Sequence, residues 1–130
     1  MLAVKRYANT RNETASKERL MVLLFETALK HMRIAAVALE NGRAMDANEP
    51  LAKAADIVAE LTSTLDHSRA PQLCAQLTDV YIFVADRLIL GASTRNPKAV
   101  REAERVFAPI ADAFSTAVSM VQGAPAAAPK

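Results

Sequence analysis

The sequence predicts an all-α fold, an antiparallel up-down four-helix bundle, and three observations carry that expectation. The first is composition. Of 130 residues, 52% are apolar but only 5% are aromatic, and glycine occurs three times. Alanine and leucine, both strong helix formers, carry the apolar load, a balance that favours helices over sheets. The second is periodicity: apolar residues recur at helical spacing in four separate segments. The third is punctuation. Glycine- and proline-bearing stretches cut the chain into lengths of about twenty to twenty-five residues, and helices of that length joined by short loops pack as an up-down bundle. The chain is one domain's worth and long enough to bury a core.

Residues 1–15 hold Tyr7 and few other large apolar groups, and they read as an irregular N-terminal arm. Ser16 is the expected N-cap, because its hydroxyl can accept from the free N–H groups of a first turn. The first helix then runs from about Lys17 to about Asn41, with Gly42 as a left-handed stop. Its polar residues Glu26, Lys30, Arg33 and Glu40 mark the solvent side. Within it, Leu20 to Phe25 are six consecutive apolar residues. An ordinary surface helix buries one stripe, so a run that covers the whole circumference is either central to the bundle or offers a second apolar face to another chain.

The second helix is expected from about Ala47 to Asp66, with Pro50 in its first turn, where no intrahelical N–H bond is lost. Leu51, Ala54, Ala55, Val58, Leu61 and Leu65 form its core stripe, opposite Lys53, Asp56, Glu60 and Thr64. A short connection ends at Pro71, which opens the third helix, expected to run to Ala92. There Leu73, Leu77, Val80, Tyr81, Val84 and Leu88 repeat at the spacing of a buried face, while Phe83 falls on the wet side with Gln76 and Asp79. Asn96-Pro97 is a cap followed by an N1 proline. It starts a fourth helix that runs to Val121 with the cleanest 3.6-residue pattern in the chain. Pro109 interrupts that pattern without ending it, so a kink is expected there. Residues 122–130, rich in alanine and proline, read as a disordered tail. The bundle proper therefore spans 16–121, with its core from Leu24, Ala28, Leu51, Val58, Leu77, Val84, Phe107 and Phe114.

Net charge is +2 and the bases are scattered, apart from a mild excess in the first nineteen residues, which argues against a nucleic-acid partner. The single cysteine, Cys74, rules out an intramolecular disulfide and sits among apolar neighbours as a packing group. No signal peptide is visible, and no apolar run approaches the roughly 18–20 residues of a membrane span. A cytoplasmic protein without membrane insertion is expected.

Catalytic chemistry finds little support. His31 and His67 fall on separate elements and no Glu-x-x-His motif is present, so no metal site is expected. Asp56 and Glu60 lie one turn apart but share a polar stripe with Lys53, which marks a solvated face. A glycine-rich phosphate loop and a nucleophile elbow are both missing. Neither an enzyme nor a cofactor is expected. What stands out is apolar surplus: the Leu20–Phe25 run, Ile57 beside Leu61 and Leu65, and Ile82-Phe83. Together these offer more apolar surface than four helices hide, and such surface marks a partner site. The natural ligand for grooves between helices is an amphipathic helix.

The order and spacing of several motifs resemble the flagellar secretion chaperone FliS family. They are Tyr7-Ala8-Asn9-Thr10, then Thr14-Ala15-Ser16, Leu20, Leu24-Phe25-Glu26 and Ala28-Leu29. Next come Lys53-Ala54-Ala55-Asp56-Ile57, Glu60-Leu61, Ser63 and Leu65-Asp66. Last are Leu77 and Tyr81-Ile82-Phe83, similar to that family's leucine followed by Tyr-x-Tyr/Phe. The likeness covers about residues 7–92, and the fourth helix matches in pattern only. Lys17 stands where the family usually has proline, Thr27 where it has glycine, Asn12 where a branched apolar residue is common, and Ile82 where a polar one is usual.

The resemblance implies a cytosolic chaperone that binds the disordered C-terminal region of flagellin, prevents its premature polymerisation and delivers it to the flagellar type III export apparatus. Export-gate components would be further partners. The partner groove is then expected at Ile57, Leu61, Leu65, Tyr81 and Phe83. The arm of that family can cover the groove when the partner is absent, which makes Tyr7 the candidate lid. The alternative reading is a helical-bundle adaptor or regulator that binds another amphipathic helical partner.

Overall fold

A computed structural model describes residues 2–121, with side chains from Ser16 onward. It contains α1 (Leu2–Glu40), α2 (Ala44–Ser63), α3 (Pro71–Thr94) and α4 (Pro97–Val121), and no strand among the described residues. α1 packs against α2 and α4, and α3 packs against the same two. The helices therefore follow one another round a square with α1 diagonal to α3, which is the up-down arrangement that short connections dictate.

The turns are built by the residues that predicted them. Gly42 adopts φ +73°. Its N–H donates to the carbonyl of Leu39 at 3.1 Å, and the N–H of Arg43 donates to that of Ala38 at 2.8 Å. This pair of bonds is a Schellman motif, and it ends α1 by satisfying carbonyls the helix leaves open. At α4 the side-chain oxygen of Asn96 accepts from the N–H of Lys98 at 3.0 Å, an N-cap directly before Pro97. Arg95, which ends α3, takes the left-handed conformation at φ 53°, rare for a residue with a Cβ.

Two expectations are corrected. α1 is helical from Leu2, so the segment expected as an irregular arm is continuous with the first helix, and Ser16 lies inside it rather than capping it. Residues 2–15 contain neither glycine nor proline. Extending an existing helix fixes one residue per bond gained, far cheaper than nucleating a new one. α2 begins at Ala44 and ends at Ser63, so Pro50 lies inside the helix. The Schellman turn is so tight that α2 starts at once, and α2 gives up the bond to the Asp46 carbonyl that a residue other than proline would make at position 50. As expected, Pro109 does not end α4, which runs on to Val121. Residues 122–130, expected as a disordered tail, lie outside the described residues.

The core centres on Phe107, which is fully buried and stacks on Phe25 at 5.4 Å between centroids; Tyr81 lies 6.3 Å away on its other side. Phe114 joins Phe25 at 5.1 Å. Ala28, Leu51, Val58 and Val84 are buried as expected, while Leu24, Leu77 and Phe114 are half-buried against that core. At Gly91 α3 leaves no room for a side chain against α4: a Cβ there would clash with Cγ2 of Val100. The seam between α1 and α4 is closed by charge. Arg101 forks onto both carboxylate oxygens of Glu40 at 2.8 and 3.0 Å. Glu104 accepts from Arg101 at 2.9 Å and from Arg33 at 2.7 Å. Burial pushes the Glu104 pKa up, but these two guanidinium groups outweigh it and hold the carboxyl below its ordinary range.

Candidate partner-binding surface

The register of α1 and α2 follows from their antiparallel pairing. His31 on α1 is level with Lys53 and Glu49 on α2, whose charges act on its imidazole. Counting outward from that level sets Ile57 near Thr27 and Leu61 near the level of Leu23, while Leu65 follows α2 in the connection to α3. Leu20, Leu24, Thr27, His31 and Ile34 recur at helical spacing on the flank of α1 that meets α2. The opposite flank carries Arg33 and Glu40, which face α4.

Three of the expected groove residues therefore fall along one flank. Ile57 and Leu65 are half-buried at its edge, whereas Leu61 is only 1% exposed and forms the floor behind it. On α1, Leu20, on the flank that meets α2, and Leu23, on the outward face next to it, are 54% and 56% exposed. These two leucines are the outward part of the six-residue apolar run. That run already pointed to a second apolar face, but periodicity within it could not say which members faced out.

Tyr81 and Phe83 lie elsewhere. Tyr81 is buried at 3% exposure against Phe107, and burial raises its phenol pKa. Phe83 is exposed, as expected. Arg87 lies over its ring at 5.4 Å and pairs with Glu102 of α4 at 3.2 Å, which places Phe83 on the α3–α4 flank, across the bundle from Ile57. The side chain of Tyr7 lies outside the described residues.

His31 is half-buried at the α1–α2 seam and its Nδ1 finds no hydrogen-bond partner among the described residues. Burial lowers its pKa, and Lys53 and Lys30 lower it further, so the ring stays neutral where an ordinary histidine begins to charge. His67 is exposed in the α2–α3 connection. Among the described residues no three His, Cys, Asp or Glu side chains gather in a way that could hold a metal ion. No described helix is long and apolar enough to cross a membrane.

Fold and surface together define a small four-helix-bundle protein whose open chemistry is apolar side chains along its helix flanks. The chain belongs to the FliS family: the family described as flagellar protein FliS matches residues 1–121. The flagellar secretion chaperone FliS of Bacillus subtilis is 30% identical over 112 residues, covering 86% of this chain and 83% of that protein. The flagellar secretion chaperone FliS of Salmonella typhimurium is 28% identical over 116 residues, covering 85% and 86%.

Proposed function

We propose that this protein is a cytoplasmic, non-enzymatic export chaperone that binds the disordered C-terminal region of flagellin. It would keep flagellin from polymerising early and hand it to the flagellar type III export apparatus, with components of the export gate as later partners. The observation that carries the reading is the apolar surface of α1 and α2, where Leu20 and Leu23 stand more than half exposed and Ile57 and Leu65 are half-buried, in a chain whose relatives are secretion chaperones.

The physics of such a site suits a carrier. A segment that folds on binding can cover a large apolar surface, and ordering it costs about 2–5 kcal/mol. Net affinity is then moderate for the area covered, so the cargo is held yet released. In this reading Leu61 and Tyr81 support the surface from beneath, and Phe83 contacts a part of the cargo that continues round the bundle. Tyr7, if its segment covers the groove, lowers the apparent affinity by the fraction of time the groove is closed.

The test is calorimetric titration with the C-terminal forty or so residues of a flagellin from the same cell. Binding near one-to-one with a large negative heat-capacity change is expected. In the Leu20→Asp/Leu23→Asp double variant, affinity should fall at least tenfold with helicity unchanged. A folded wild-type chain that does not bind the segment would move the function to the adaptor reading.

A further inference from the structure

We propose that the α2–α3 face is a second docking surface, and that it takes an amphipathic helix of a partner protein that carries lysine or arginine on both flanks of its apolar stripe. This goes beyond flagellin binding on the α1–α2 flank and rests on different residues.

Ile82 and Ile89 lie seven residues apart on one face of α3 and are 52% and 61% exposed. Across from Ile89 α2 presents Ala52 and Ala55, so the two helices leave a groove of about 180 Å³ lined also by Leu51 and Leu88, and Ile82 continues the apolar face of α3 beyond it. Small side chains on one wall and isoleucines on the other let a third helix approach closely. The stretch from Asn48 to Glu60 is about three helical turns long, roughly 18 Å at 1.5 Å per residue. That is a length an amphipathic helix covers with anchors at i, i+3/i+4 and i+7.

Charge identifies the occupant. Asp56 follows Ala52 along the outer edge of α2, and Asp79 and Asp86 flank Ile82 on α3. All three are exposed, and none forms an ion pair or hydrogen bond with another described side chain. The only bases on these two helices are Lys53 and Arg87. Lys53 pairs with Glu49 on its own helix, and Arg87 is turned to Glu102 of α4. Residues 44–94 hold seven acidic side chains against three basic ones, although the whole chain is +2. Three unneutralised carboxylates on the outer sides of the two helices beside the groove favour a helix with basic flanks and repel an acidic one. It also disfavours a second copy of this chain, because a two-fold interface on this face would set the same carboxylates against each other.

The test uses a synthetic eighteen-residue helix with an alanine–leucine face and lysine flanks, beside the same peptide with glutamate flanks. Binding is read by fluorescence anisotropy and located by backbone amide shifts. The lysine peptide should bind and move the amides of Ala52, Ala55, Ile82 and Ile89. Its affinity should drop at least tenfold in Asp56→Lys/Asp86→Lys, whose changes are on exposed sites, and again in 500 mM salt. The proposal is overturned if the two peptides bind alike, if the lysine peptide does not bind, or if the shifts fall on another face. The flagellin segment is titrated into the same double variant. Unchanged flagellin affinity shows two separate surfaces, whereas an equal loss shows a single one and defeats the claim of a second site.

Discussion

Of the four seams of the bundle, two on opposite sides, α1–α4 and α2–α3, are built from different materials. The α1–α4 seam is closed twice, by the Phe25, Phe107 and Phe114 rings inside and by Arg33, Glu104, Arg101 and Glu40 outside. The α2–α3 seam has no ion pair across it among the described residues, and its outer edge is alanine on one side and exposed isoleucine on the other. A seam closed by large rings and forked guanidinium groups contributes rigidity. A seam of small side chains leaves surface unspent, and that surface is free for partners. The division teaches where a bundle of this size can be altered without unfolding it.

Truncating the centre of the closed half gives the largest effect. Phe107→Ala removes a fully buried ring that touches both Phe25 and Tyr81, and a loss of about 3–5 kcal/mol is expected in urea unfolding. Gly91→Ala sharpens the contrast at the α3–α4 contact. Its Cβ clashes with a β-branched side chain, so α3 or α4 must shift, at about 1–3 kcal/mol. A melting temperature equal to wild type would mean that Val100 yields freely.

Acid probes the charged part of the closed seam. Hydrogen bonds from Arg101 hold the Glu40 carboxyl below its ordinary range, and the arginines do the same to Glu104 against its burial. Because the folded values are depressed, the stabilisation is complete above the unfolded glutamate value of about 4.3. It is lost as pH falls from there through the folded values. Glu104→Gln should cost about 1 kcal/mol at neutral pH and flatten the acid limb of the stability profile. An acid limb as steep as that of wild type would remove Glu104 from the account. Ile89→Ala on the open face is the smallest effect, within about 0.5 kcal/mol of wild type.

Much of the fold was legible in the sequence because the signals were local. Gly42, Asn96-Pro97 and Pro71 each name a helix boundary through their own backbone chemistry, and the structure puts helix ends there. Pro50 misled because a proline within a turn of a helix start and one just past it look alike in sequence; the difference lay in how tightly the Schellman motif closes. The start of α1 misled because Ser16 can cap a helix but does nothing to stop one already running through it. The surface was half legible. Periodicity set Ile57 beside the core stripe, Leu61 and Tyr81 on buried faces and Phe83 on the wet side, and the structure agrees. The groove expected from the family resemblance joined residues of opposite flanks, because which helix stands opposite a stripe is decided by tertiary packing. The charge imbalance of α2 and α3 was present in the sequence throughout. It acquires meaning only when Lys53 and Arg87 are seen to be engaged elsewhere.

The central claim is that cargo rides on the apolar α1–α2 flank while the α1–α4 seam holds the bundle together. The most direct measurement is an amide chemical-shift map of the protein with and without the flagellin C-terminal segment. The account predicts large shifts around Leu20, Leu23, Ile57 and Leu65, with the amides of Arg33, Arg101 and Glu104 unmoved. Shifts confined to the α1–α4 seam, or none at a saturating concentration of the segment, would contradict it.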